Sequence, residues 1–582
     1  MDDEINISVQ GKNKKYSYAL SAVFIAAFLL CLWRCSYGFS DDEPFYFTIP
    51  LRIIQGDSFI SDEWHLSQFS SFFLVPYVYI FRALTGGTEG ILVTARYIYV
   101  IIHFSAALFV WYRFRAEGLA AYVIAISFAL FAPHGIMTYY YNTIAVDSLV
   151  LAATLLASSI TGPVTGREAF ASGVFFSVAV LCCPYLVIVF ALFIIVGLIF
   201  SDKKPQQFFG RKVLLLFCLG TLPLAILFLS FLFSRTDLAG IMQNLPLILA
   251  DPEHPLLPFR DRCVTIFFSI WRCHPLFQYA AIFYLLLLLT LALDKKRHTH
   301  KEFYLILSVA VSIFCFALYY PQLTARYCNA IMMPLIFPGF VAYILCENKS
   351  HRAFVCFFAL GILYAGCLCF SSNLFFLVIP VALSVSNIGS MLFISELVKE
   401  TGIDRHAGGT GPNKLCTAAV CICMATLLSL QFILKFEHSY YQFERNLELE
   451  YYIDKGPAKG TYTDEAKYSA YMTVLEDIEE YRNLEGRIAF LTVYPWCYLY
   501  TDELYCGTYS AWLSGESDTT LDRLAAYWDM HPDMLPDYVY MPKLAYFNPD
   551  SFASLMLEYG YTVKETASGY HAEQVNAADS HS

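Results

Sequence analysis

The sequence predicts an α-helical polytopic membrane protein of about thirteen transmembrane helices with a small C-terminal α/β domain, and three observations predict it. Of 582 residues, 57% are apolar and only 15% are charged, far from the balance of a soluble chain. Apolar runs long enough to cross a bilayer, about 20 residues each, recur from Tyr16 to about Lys435. Beyond them the composition changes: residues 436–582 hold 25 Asp and Glu against 9 Lys and Arg, whereas residues 1–435 hold 24 against 29. A soluble multidomain architecture is excluded, and the charge gives no case for nucleic acid as a partner.

In chain order, residues 1–16 read as a cytoplasmic N-terminus in which Lys12, Lys14 and Lys15 precede an apolar run without a small-residue cleavage site. The first span, 17–37, is therefore expected to stay uncleaved. Further spans are expected at 91–112, 118–138, 148–161, 169–184, 186–200, 212–233, 276–293, 302–320, 331–346, 353–370, 373–397 and 415–434, within a transmembrane domain over residues 17–435. With the N-terminus inside, every lysine between residues 16 and 434 falls on the inner side, as the positive-inside bias requires. Thirteen crossings then place residues 436–582 outside. The stretch 66–84 is also apolar, but Pro76 interrupts it, and a crossing there would put those lysines outside. It reads as an interfacial helix inside a first outer loop that runs from residue 38 to residue 90.

The acidic tail domain shows amphipathic helices at 463–483, 519–531 and 549–559 and strands at 487–494, 537–541 and 561–566, an alternation that implies a partly parallel sheet. Residues 455–460 read as a turn-rich hinge. Trp496, Tyr498, Tyr500, Tyr505, Tyr509 and Trp512 bunch after the first strand, suited to an aromatic core, a docking face on the membrane domain, or stacking on sugar rings. Eighteen cysteines without a CxxC pair or regular spacing are packing residues rather than a disulfide framework or zinc site. Pairing is raised only for Cys497 with Cys506 and for Cys263 with Cys273, if those regions are exported.

The first outer loop opens with Asp41, Asp42, Glu43 and Pro44. Glu43 before Pro44 suits an N-cap, but one cap uses one acid and three consecutive carboxylates repel, which leaves Asp42 or Asp41 for chemistry. Asp147, after the run Tyr139–Val146, is either the cap of the fourth span or a functional acid. The outer basic residues are arginines: Arg52, Arg82, Arg96, Arg235, Arg260, Arg262, Arg272 and Arg326. Paired donors fork onto phosphate oxygens, so this face suits a phosphorylated lipid, with snorkelling as the alternative. Arg96 lies five residues into the second span, where a charge costs about 2.5 to 3.5 kcal/mol and needs a partner, Asp42 or Asp147. His65, His103 and His134 lack metal-ligand spacing, and no Walker A or dinucleotide fingerprint occurs. No cofactor is required; the three acids would admit a divalent cation, though no spacing demands one.

An N-inside span, the pair Asp42–Glu43, a helix ending at Gly56–Asp57, an interfacial helix with proline, and Arg96 in the next span together resemble the GT-C membrane glycosyltransferases. Within that class the order looks most like the bacterial lipid A aminoarabinose transferase and the protein O-mannosyltransferases. Tyr140–Asp147 is similar to the family's second outer loop, which ends in a functional Asp. Tyr327 through Pro334 and Leu335 is similar to its Tyr-x6-Pro-Leu stretch, where the Tyr meets donor phosphate. The resemblance covers roughly residues 15–340. One departure is the Lys-Pro pair that the aminoarabinose branch carries near the phosphate: here Glu63, Trp64 and His65 stand, and only later Pro76.

The resemblance implies a glycosyltransferase, hexosyl or pentosyl, that moves a sugar from a polyprenyl-phosphate donor to a glycan, lipid or protein acceptor at the outer face of a cell membrane, with inversion. Asp42 is the expected base, with Glu43 and Asp147 as further catalytic carboxylates. Arg96, Arg326, Tyr327, Arg52 and His65 are expected around the donor phosphate, with Arg260 and Arg262 candidates by location. The alternative from another class is a lipid-linked oligosaccharide transporter or flippase. Acids gathered at the rim and the lack of an internal repeat favour the enzyme.

Overall fold

The computed structural model describes the chain apart from residues 1, 158–162, 202–208, 251–256, 273–276, 320–327, 348–349, 373–377, 404–412, 441, 443, 514–518, 544–546 and 575–582. A helix stands at each of the thirteen apolar segments. In order these are α1 (Asp2–Arg34), then α2 (Asp42–Gln55) and α3 (Ser71–Thr85) in the first loop, α4 (Ile91–Phe114), α5 (Leu119–Leu130), α6 (Tyr141–Ala157), α7 (Gly166–Cys182), α8 (Leu186–Ser201) and α9 (Arg211–Phe233). Two helices that the sequence reading lacked follow, α10 (Leu238–Leu249) and α11 (Phe259–Arg272), then α12 (Phe277–Leu293), α13 (Lys301–Tyr319) and α14 (Ile336–Leu345). The helices His351–Ser371, Ile379–Ile403 and Asn413–Glu437 complete the bundle.

Among the described residues six helices are long and apolar enough to cross a membrane, and shorter apolar helices pack between them. Leu215, Ile226 and Leu227 of α9 and Leu285 and Leu293 of α12 point outward and are exposed. Rows of exposed aliphatic side chains on helices that are apolar all round are stable against lipid, not water. This is an integral membrane protein.

Boundaries moved where polar turns intervened. α5 ends at Leu130, eight residues early, because Phe131 turns extended and His134 and Gly135 adopt positive φ around Pro133. α6 starts at Tyr141, earlier than expected, with the Thr143 hydroxyl accepting from the Tyr140 amide at 2.8 Å. Asp147 therefore lies inside α6 and caps nothing. Glu43 is not an N-cap either: α2 begins at Asp42, and Asp41 holds the cap position without a side-chain cap bond. α2 stops at Gly56, whose φ of 122° admits the amide that closes onto Arg52 and Ile53 carbonyls.

The tail opens with a hairpin, β1 (Tyr451–Tyr452) and β2 (Tyr462–Thr463), and continues into a five-stranded sheet of β3 (Arg487–Phe490), β4 (Tyr505–Cys506), β5 (Tyr538–Pro542), β6 (Tyr561–Glu565) and β7 (Gly569–Gln574). Its order is β4-β3-β5-β7-β6, with β3 parallel to β4 and β5 and the β5–β7 and β7–β6 pairs antiparallel. Ile488, Ala489 and Phe490 are buried together, as a strand covered on both faces must be. Helices Glu465–Asp477, Thr519–Met530 and Pro549–Glu558 match the expected ones. Residues 455–460 are not a hinge: they form the hairpin loop, whose Gly456 and Pro457 carbonyls accept from the Gly90 and Leu92 amides at the start of α4. Cys497, Cys506 and Cys263 are free; Cys273 lies outside the described residues.

The tail is welded to the first loop. Arg52, 1% exposed, donates to Asp57 at 2.7 Å, to Glu63 at 2.6 Å, to the Asp62 carbonyl and to the Thr508 carbonyl at 3.0 Å. The Trp64 amide donates to the Tyr509 carbonyl at 2.7 Å, and its ring stacks on Tyr509 and meets Tyr527 edge-on. The Trp64 indole N–H reaches Asn244 of α10 at 2.9 Å. Thr48 donates to the Pro495 carbonyl, and Arg82 pairs with Asp502 at 2.9 Å. Trp496 and Tyr498 bury against Phe39, Phe45 and Phe47, so these aromatics are an interdomain core. Replacing Arg52 by Met leaves Asp57 and Glu63 as buried unpaired carboxylates, a loss of about 3 to 5 kcal/mol. The expected result is a lowered unfolding temperature in detergent and faster proteolysis of the tail; an unchanged melt would contradict the clamp.

Candidate active site

Arg96 and Glu43 form the pivot at the edge of the bundle. Both are buried, and the guanidinium uses all five N–H groups: Nε and one Nη on the Glu43 carboxylate, the rest on the Cys35 carbonyl at 2.9 Å, the Tyr37 carbonyl at 3.4 Å and the Gly38 carbonyl at 2.8 Å. This partner is Glu43, neither Asp42 nor Asp147. In this arrangement Arg96 has no N–H left for a phosphate. Gly38, at φ 84°, brings the chain against Ser439, where a Cβ would stand 2.5 Å from the Ser439 Cβ. The end of α1, the start of α2 and the segment after the last helix are thereby drawn to one point.

Asp42 sits at that point. Its Oδ2 accepts a hydrogen bond from the Tyr440 hydroxyl at 2.7 Å. Tyr440 also lines a crevice of about 20 Å³, shared with Arg34, Tyr37, Ser40, Glu43 and Arg96, which has room for about one water molecule. Arg34, at the last turn of α1, donates to the carbonyls of His438 at 2.9 Å and Gly135 at 3.3 Å. Asp41 turns toward the tail. Burial and the neighbouring Asp42 push its carboxyl up to about 7, while Lys467 and the Trp496 indole pull it down. The Trp496 N–H faces it without closing a hydrogen bond of good geometry. Tyr46, one turn into α2, is pushed well up by burial, Tyr141 and Asp42, and its ring lies 4.8 Å from Tyr140.

Other expected site residues lie elsewhere. Arg52 is the interdomain clamp. His65 sits beside Phe45, with its Nδ1 within 2.8 Å of the Ser67 hydroxyl and accepting from the Ser67 amide at 3.1 Å. Asp147 is 8% exposed and pairs with His103 of α4 at 2.8 Å. Arg326 and Tyr327 lie outside the described residues. Of the remaining outer arginines, Arg235 donates to the Ile53 and Asp57 carbonyls and Arg262 to the Ser372 carbonyl. Much of the arginine-only face thus ties elements together. Among the described residues no group of three or more His, Cys, Asp or Glu is placed to hold a metal ion.

Arg34, Tyr440 and Lys467 were missed by sequence reasoning, whereas Trp496 was singled out only as one of the tail's aromatic cluster. Arg34 carried a signal, a charge ending an apolar run; Tyr440 and Lys467 reach the acids from more than 390 residues away.

No family model and no curated protein matches the chain. Among solved structures it is similar to ArnT from Cupriavidus metallidurans bound to undecaprenyl phosphate, at 12% identity over 97% of this chain and 98% of that one, with a TM-score of 0.38. It is also similar to the archaeal oligosaccharyltransferase AglB from Archaeoglobus fulgidus in complex with an inhibitory peptide and a dolichol-phosphate, at 12% identity over 96% and 75%, with a TM-score of 0.39.

The raised Asp41 carboxyl gives a sign that can be checked. Its proton is held more tightly in the folded state, so its contribution to stability is full below the ordinary value near 3.8 and is lost as pH rises through about 7. Asp41→Asn removes that contribution, and melting in detergent between pH 5 and 8 is expected to show a gentler decline than the parent. An identical pH slope would place the Asp41 proton elsewhere.

Proposed function

We propose that this chain is a membrane glycosyltransferase that transfers a sugar from a polyprenyl-phosphate donor to an acceptor at the face carrying the tail domain, taken to be the outer one. The observation that carries the reading is the Tyr440 hydroxyl held 2.7 Å from Asp42 at the membrane edge. An acceptor hydroxyl bound where Tyr440 stands would donate to the same carboxylate oxygen. Asp42 then removes the acceptor proton as the new C–O bond forms at the anomeric carbon, and the bond from that carbon to phosphate oxygen breaks. The polyprenyl phosphate departs with the electron pair, and a single displacement inverts the anomeric centre.

Several features support this assignment over one on Glu43 or Asp147. Glu43 is committed to Arg96, and Asp147 of α6 to His103 of α4. Arg34 lines the crevice with Tyr440 and is assigned here to the donor phosphate, where a fixed cation stabilises the leaving charge; Arg326 and Tyr327 stay candidates for that role from the sequence. The crevice is too small for a sugar as it stands, so substrate access displaces the Tyr440 segment. The tail domain covers the site through Trp496 and Lys467 near Asp41 and bounds the acceptor's approach.

A positioned base contributes about 10² to 10⁴ in rate. In membranes supplied with a lipid-linked sugar, Asp42→Asn is expected to lower transfer by at least about 100-fold, while Tyr440→Phe, which removes only the placeholder hydroxyl, keeps it. Full activity in Asp42→Asn would remove the base assignment, and release of sugar to water instead of acceptor would point to a hydrolase.

A further inference from the structure

The helix α10 (Leu238–Leu249) presents its apolar side outward. One side packs against the first loop and the tail domain: Asn244 and Ile248 are 1% and 4% exposed, the Asn244 amide oxygen accepts from the Trp64 indole at 2.9 Å, and His531 Nε2 lies 3.3 Å from the same oxygen. The other side carries Leu238, Ala239, Met242, Leu245, Pro246 and Leu249, all exposed, with Leu238 at 65% and Met242 at 64%. Residues 238, 242, 245 and 249 recur at helical spacing, so they form one continuous stripe. Gln243, at its margin, is the only polar side chain on that side, and the helix holds no charge. A helix beside water turns its polar residues out and its apolar stripe in. Here the asparagine is inside and the stripe is outside.

The path of the chain says what surrounds the stripe. α10 follows the lipid-facing helix α9 after a four-residue turn, and Ile226, Leu227, Leu229 and Phe233 in the last turns of α9 are exposed as well. Both ends of α10 are held by polar groups. Asp237 caps the start, accepting from the Gly240 amide at 2.7 Å. At the other end Arg523 of the tail domain donates to the carbonyls of Leu247 at 2.7 Å and Ala250 at 3.4 Å, in the last turn, where helix carbonyls lack partners of their own. Twelve residues make a helix about 18 Å long, too short to cross about 30 Å of hydrocarbon.

We propose that α10 is an interfacial helix whose outer stripe is sunk in the lipid leaflet, so that the tail domain rests on the membrane through it. The helix lies along the headgroup boundary with its stripe about 5 to 10 Å deep, while Asn244 and Arg523 stay on the side of the protein. A second copy of the chain would also cover an apolar stripe, but the exposed row of α9 leads into this one, and that row faces lipid. The inference rests on the membrane integration of the chain and not on the proposed transfer.

The test uses the full-length chain in nanodiscs of dioleoylphosphatidylcholine doped with a phosphatidylcholine that carries a diazirine near the carboxyl end of one acyl chain. After illumination, labelled side chains are located by peptide mass spectrometry. Leu238, Met242, Leu245 and Leu249 are expected to be labelled to the extent of Leu229 and Phe233, with Asn244, Leu247 and Ile248 blank and the charged turn Glu479–Asn483 as background. Background labelling along all of α10 would overturn the assignment, and a dimeric mass in that case would name a second copy as the occupant. Leu245→Glu is the independent check. On a water-facing helix this change is near neutral; against lipid it is expected to lower the unfolding temperature in nanodiscs relative to Leu245→Ala, and equal melts would also overturn the proposal.

Discussion

The structure turns on the Arg96–Glu43 pair. A guanidinium within a transmembrane helix is tolerable only where every donor is met, and here a carboxylate and three backbone carbonyls meet all five. Those carbonyls belong to residues 35–38, the linker between α1 and α2. The pair therefore sets the direction in which α2 leaves the bundle, and with it the position of Asp41 and Asp42 at the first turn. It also fixes Gly38 against Ser439, so the segment after the last helix returns to the same place. Without the pair, the two ends of the membrane domain have little reason to meet.

A second buried arginine repeats the device outside the bundle. Arg52 joins Asp57, Glu63 and a tail-domain carbonyl, while Trp64 inserts between Tyr509, Tyr527 and Asn244. A tail with a surplus of 16 acidic residues would be repelled by a carboxylate-rich loop if nothing intervened. Arginines taken from the membrane domain, Arg52 and Arg82, neutralise the contact. The tail is consequently a fixed wall of the Asp41–Asp42 region.

Much of this was legible in the sequence, and what was not has identifiable causes. Thirteen apolar segments reappear as helices because burial in lipid leaves backbone groups no alternative partner. The helix ending at Gly56 was readable since only glycine takes that conformation freely. α10 and α11 were missed because each is short and amphipathic, and β7 because its residues, Tyr570 to Gln574, are mostly polar and owe their strand to pairing on both sides. The arginine-rich outer face was noticed, but not the partners it takes in the fold: carbonyls and carboxylates of neighbouring elements meet Arg52, Arg82, Arg96 and Arg235. Which acid a given arginine meets depends on helix register and loop path, and no local pattern encodes either. That is also why Arg96 was assigned to Asp42 or Asp147 when its neighbour in the fold is Glu43.

The three acids that the sequence grouped as catalytic thus have three environments, and environment assigns their work. Glu43 is saturated by a permanent cation and serves structure. Asp147 pairs with the His103 imidazole at 2.8 Å inside the bundle and lines a largely apolar cavity. Asp42, at the first turn of α2, accepts from the Tyr440 hydroxyl, and Tyr440 lines the polar crevice together with Glu43 and Arg96. A base must exchange its proton with water between turnovers, which a site at the rim permits and a site walled by phenylalanine and leucine does not. Of the three, Asp42 is the one whose surroundings fit the base of the proposed transfer.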